Sequence, residues 1–89
     1  MDADPQMGDL RRLFLARLRA ERTEIEAART ARDAASALPI LHRMAGSAGI
    51  FGFPDLSRAA GECEDAVRSG AEPDLEDLLR IVDRHLAVD

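Results

Sequence analysis

The chain has 89 residues, enough for one small domain, with 46% hydrophobic and 33% charged residues. Its net charge of −5 argues against a general nucleic-acid binder, and no apolar run approaches the roughly 20 residues of a membrane span. Cys63 is the only cysteine, so no internal disulfide can form. Every basic residue is arginine, and tryptophan and tyrosine are absent.

Residues 1–8 are polar, include Pro5 and Gly8, and are expected to form a loose N-terminal tail, leaving 9–89 as the domain. The stretch Met-Asp-Ala-Asp-Pro has neither the basic nor the apolar region of a signal peptide, which points to the cytoplasm. Asp9 is the expected N-cap of a first helix running to about Ala31. Its apolar stripe reads Leu10, Phe14, Leu18, Ile25 and Ala28, with Leu13 alongside. Arg12, Arg19, Thr23 and Glu26 mark its outer face, and Glu21 interrupts the stripe.

Ser36 is the expected N-cap of the second helix, because Pro39 is tolerated only in a first turn. Its stripe is Ala37, Leu41, Met44, Ala48 and Phe51, and Gly49 and Gly52 bring it to an end. Pro54 opens the third helix, with Leu56, Ala60, Cys63 and Val67 inward and Gly70 as its stop. Asp74 and Asp77 resemble a capping box before the fourth helix, which carries Leu75, Leu78, Leu79, Val82 and Leu86. Four amphipathic helices with short connections predict an all-α fold, an antiparallel up-down four-helix bundle.

His42 stands out within the second helix. On a wheel of about 100° per residue it lies roughly 140° from the core direction. Gly46 lies four residues on and Gly49 seven on, so both share its face. Glycine inside a helix costs about 1 kcal/mol relative to alanine. Two of them here remove side chains that would shield the ring. Leu38, Ala45, Gly46 and Gly49 form a smooth, uncharged patch around it, suited to docking by a partner. Histidine can serve as a nucleophile, and an unperturbed imidazole is largely neutral at cytosolic pH.

The other chemically versatile residues have simpler readings. His85 suits the last turn of the fourth helix, where a cation favours the helix dipole. Cys63 falls on a core stripe, as an inert buried thiol would. His42, His85 and Cys63 have no metal-ligand spacing, so no metal is expected. Glu62, Glu64 and Asp65 read as a solvated face. Ser47, five residues from His42, is out of hydrogen-bond reach, so a serine hydrolase is unsupported. Phe51 and Phe53 are expected to pin the turn between helices to the core.

The segment His42-Arg-Met-Ala-Gly46-Ser47-Ala-Gly49-Ile-Phe-Gly52-Phe, followed by Leu56 and Glu64, resembles the signature of histidine-containing phosphotransfer domains. These are the HPt modules of two-component phosphorelays. The resemblance implies a phosphocarrier rather than an enzyme. His42 would accept a phosphoryl group, Gly46 would leave room for a receiver domain, and Ser47 would match the family's small hydroxyl residue. A response-regulator receiver domain, or a hybrid histidine kinase, would be the partner. The receiver would bring the aspartate and the Mg²⁺, so no cofactor is expected on this chain. The Gly-Ile-Phe-Gly-Phe stretch is also similar to the phosphoacceptor domain of chemotaxis-type kinases.

One position departs from the pattern. The usual lysine three residues after the histidine is Ala45. Arg43, adjacent in sequence, or Arg58 on the third helix is expected to supply the missing cation. The competing reading is a non-catalytic docking module that binds a receiver or kinase domain without phosphotransfer.

Overall fold

The computed structural model describes residues 5–88. Helix α1 spans Pro5–Thr30, α2 spans Leu38–Ile50, α3 spans Pro54–Ser69 and α4 spans Leu75–Val88. A short 3-10 turn, Ala34–Ala37, precedes α2. The helices form the expected all-α four-helix bundle, with no strand among the described residues.

Antiparallel pairing is visible in the contacts. Along α2 and α3, His42 meets Glu64, Ala45 faces Gly61, and Gly49 faces Ser57. Advancing on one helix means retreating on the other. α1 runs against α2 in the same sense, through Arg11 to Phe51, Arg17 to Ser47 and Glu21 to Arg43. Leu18, Ile25, Leu41, Met44, Leu56, Leu78 and Val82 are fully buried between the helices. Each such side chain contributes about 1.5–3 kcal/mol by leaving water.

α1 departs from expectation at both its start and its stripe. Residues 1–4 of the expected tail lie outside the described residues, but Pro5–Gly8 are already helical. Asp9 therefore lies inside α1 and pairs with Arg12 one turn on, instead of capping. Leu10 and Leu13 are exposed, at 46% and 66%, while Leu15 is buried. Arg11 meets the α2–α3 turn, donating to the Phe51 carbonyl and covering the Phe53 ring. Glu21 is buried at 4%, and its Oε2 accepts from Arg43 Nη2 at 3.1 Å, with Arg17 Nε at 3.9 Å. The residue that broke the apolar pattern is an internal ion pair joining α1 to α2.

The helix ends follow local rules. Gly52 (φ +89°) and Gly70 (φ +79°) adopt the left-handed conformation that closes α2 and α3. Phe53 N–H then donates to Ala48 and Ala71 N–H to Ala66. Ser36 does not cap α2. Its hydroxyl donates to the Asp33 carbonyl, and the 3-10 turn carries the chain into α2 with Pro39 in the first turn. Asp74 caps α4 through the Asp77 N–H at 3.0 Å, but Asp77 itself pairs with Arg80, so the box is half made. Phe51 and Phe53 both stack on Phe14, with centroids 5.1 and 5.4 Å away, and do pin the turn.

Two ion pairs tie α4 into the bundle and set its acid sensitivity. Arg22 donates to both oxygens of Asp83, at 2.5 and 3.1 Å. That hydrogen bond holds the Asp83 carboxyl below its ordinary range. At Asp55 burial opposes ionisation, but hydrogen bonds from His85 and the Leu56 N–H, with Arg84 nearby, outweigh it. Both carboxyls bind protons less readily folded than unfolded. Their contribution is therefore complete above the unfolded carboxylate value and lost as the pH falls through the lower, folded values. Urea unfolding should show a midpoint that drops below about pH 4, and Asp55→Asn should flatten that drop. An Asp55→Asn protein with an unchanged acid limb would contradict this.

Candidate functional site

α2 buries Leu41, Met44 and Ala48, and this fixes the direction of the residues between them. His42 consequently faces outward, with its side chain 70% exposed. Its Nδ1 lies 2.7 Å from Glu64 Oε2 on α3. The same oxygen accepts from Arg68 Nε at 3.1 Å and Nη2 at 3.0 Å. Hydrogen bonds from His42 and then Arg68 hold the Glu64 carboxyl below its ordinary range. An ionised carboxylate only accepts. The proton in the contact therefore belongs to Nδ1, and a neutral ring keeps its lone pair on Nε2, away from Glu64.

The surface around the ring is low. A Cβ built on Gly46 meets nothing within 4 Å. Gly49 is exposed, and its nearest neighbour is Ser57 Oγ at an ordinary 3.5 Å, so neither glycine is demanded by helix packing. Ala45 is half-buried opposite Gly61, and Leu38 is half-buried one turn before His42. Ser57 adds a brace on this side by donating to the Ala45 carbonyl at 2.6 Å.

Three expected neighbours of the ring are placed elsewhere. Arg43 turns to α1 and is engaged with buried Glu21, so it does not serve as the cation beside His42. Ser47 also faces α1. Its hydroxyl donates to the Arg43 carbonyl at 2.8 Å and lies 3.4 Å from Arg17 Nη2. Arg58 is exposed on α3, about 120° around that helix from Glu64. The cation that does approach His42 is Arg68, which acts on Glu64.

Glu64 is the residue whose role the pattern hid. The sequence groups it with Glu62 and Asp65 as a solvated face, and those two are exposed. Glu64 itself is only 13% exposed in its side chain. The antiparallel hairpin carried the signal: His42 and Glu64 lie at similar distances on either side of the Gly52 turn. His85 does more than favour a helix dipole. Its Nε2 contacts both Asp55 oxygens at 2.9 and 3.0 Å, and its ring sits edge-on to Phe53. It joins the end of α4 to the start of α3, a structural role. Cys63 is buried, lies 3.6 Å from the Asp74 carbonyl, and burial pushes its thiol up to about 11, which leaves it unreactive.

A four-helix bundle that holds one histidine out over a low surface defines a histidine-presenting helical module. The family model for the Hpt domain matches residues 9–88, and the chain belongs to that family. No curated protein and no solved structure matches the chain. Hpt domains are phosphocarrier modules, so the chain takes part in two-component phosphorelay signalling, with partners such as kinase or receiver domains. No described helix is long and apolar enough to cross a membrane.

Proposed function

We propose that His42 is the phosphoacceptor of a cytoplasmic phosphorelay intermediate, exchanging a phosphoryl group with response-regulator receiver domains. The observation that carries this reading is the His42–Glu64 contact. It ties down one ring nitrogen and leaves the other free on a 70% exposed side chain. In the forward step the Nε2 lone pair attacks the phosphorus of a receiver's aspartyl phosphate. The N–P bond forms, the P–O bond to the aspartate breaks, and its electron pair returns to the carboxylate. The ring gains positive charge while keeping its proton on Nδ1. Glu64 accepts that proton's hydrogen bond and offsets the charge, the role a carboxylate plays toward a reacting imidazole. The reverse step returns the group by the same path.

Mg²⁺ belongs to the receiver in this scheme. A hard cation takes several oxygen ligands, and the carboxylate at this ring, Glu64, is already committed to His42 and Arg68. Leu38, Ala45, Gly46 and Gly49 form the docking face, which needs no charge complement at its centre.

Glu64→Gln tests the role of the carboxylate. The amide can present its carbonyl to Nδ1–H but no longer offsets charge, and transfer should slow by about 10-fold, the scale of exchanging a charge-assisted for a neutral hydrogen bond. Stopped-flow transfer from a phosphorylated receiver reads the rate, and an unchanged rate would exclude the role given to Glu64. The docking-module reading is favoured by Ala45 and by the diversion of Arg43. Incubating the wild type with a phosphorylated receiver separates the two, because only the relay reading yields an acid-labile label on this chain.

A further inference from the structure

Glu64 Oε2 is shared three ways, among His42 Nδ1 and two nitrogens of Arg68. A glutamate side chain has three rotatable bonds and, near the surface, several staggered conformers. His42 alone gives it a single tether. Arg68 lies one turn on, on the same face of α3, and presents a rigid planar fork to the oxygen that faces the ring. The nearby charges do not substitute for it. Arg43 is held by Glu21 on α1, and Arg58 and Asp65 are exposed toward the other flank of α3.

We propose that Arg68 is a positioning residue that fixes the Glu64 carboxylate against His42 Nδ1 and so sets which ring nitrogen carries the proton. A free imidazole side chain favours its proton on Nε2, the wrong tautomer for attack through that atom. Glu64 reverses the preference only while its oxygen stays in place, and Arg68 keeps it there. The consequence for phosphotransfer rests on the phosphoacceptor reading above. The positioning itself does not.

The test is the tautomer ratio of ¹⁵N-labelled His42, read by NMR at alkaline pH where the ring is neutral. The wild type should be mainly the Nδ1–H form. Arg68→Ala should move the ratio toward Nε2–H by about threefold, the scale of one lost hydrogen bond, and Arg68→Lys should recover part of it. Glu64→Ala should shift the ratio further, and adding Arg68→Ala to Glu64→Ala should change nothing more. Arg68 is half-exposed, so circular dichroism should show the fold unchanged. An Arg68→Ala ratio equal to wild type overturns the proposal. So does a double variant that differs from Glu64→Ala, since Arg68 would then act on the ring directly. A shifted ratio in a protein that takes no phosphoryl group upholds the positioning and removes the phosphoacceptor reading instead.

Discussion

Replacing His42 with glutamine is expected to abolish phosphoryl uptake while leaving the bundle and its partner binding intact. The two effects separate because of where the side chain stands. It is 70% exposed, and its contact with the rest of the fold is a hydrogen bond to a carboxylate that keeps Arg68 as a second partner. Exposed substitutions of this kind stay within about 0.5 kcal/mol. Glutamine is similar in length and polarity but offers no nucleophilic nitrogen. Phosphorylation assays, a urea melt and a receiver-binding titration on the same variant check all three statements. Residual acid-labile label on His42→Gln would show that another group takes the phosphoryl.

The second large effect is expected at Gly46, and it has two opposite parts. Nothing lies within 4 Å of a Cβ built there, and the position is in mid-helix. Gly46→Ala should therefore stabilise the protein by about 0.5–1 kcal/mol, the propensity gain of alanine over glycine. Gly46→Leu should also fold. Its side chain, however, would stand one turn from His42 on the proposed docking face. A bulky group at the centre of a docking surface costs about 1–3 kcal/mol, so transfer should fall roughly 10- to 100-fold. A stability gain in Gly46→Ala together with a loss of transfer in Gly46→Leu would identify a residue retained for access. Full transfer by Gly46→Leu would mean that partners do not use this face.

Much of the bundle was legible because helical periodicity and glycine or proline punctuation act locally. The stripes of α2, α3 and α4, the stops at Gly52 and Gly70, and the exposed position of His42 all follow from spacing along one helix. The positions where structure and pattern differ share a cause of the opposite kind. Leu10 and Leu13 fit an apolar stripe, yet the bundle packs on the face of α1 that carries Phe14, Leu15 and Leu18, and that choice is made by helices distant in sequence. Glu21 looked like an interruption because its partner Arg43 lies 22 residues away on another helix. Arg43 is adjacent to His42 in sequence and Ser47 matches a family position, yet the wheel turns both toward α1. Glu64 looks solvated in the sequence because its neighbours Glu62 and Asp65 are. Its contact with His42 arises only when the hairpin closes.

These cross-helix pairs divide the duties around His42 cleanly. Arg43 and Glu21 hold α2 to α1 on one side. Glu64 and Arg68 hold the ring from α3 on the other. With Ala45 beside the ring and Arg43 turned to α1, the arginine on the α3 side, Arg68, is paired with the carboxylate that meets His42.

The most direct measurement is the atomic position of the phosphoryl group. Phosphorus-31 and nitrogen-15 NMR of the ¹⁵N-His protein, phosphorylated by a receiver, should show one phosphoramidate coupled to Nε2 of His42, with the proton retained on Nδ1. Phosphorus on Nδ1, on His85, or on no histidine of a folded and receiver-bound chain would contradict the account.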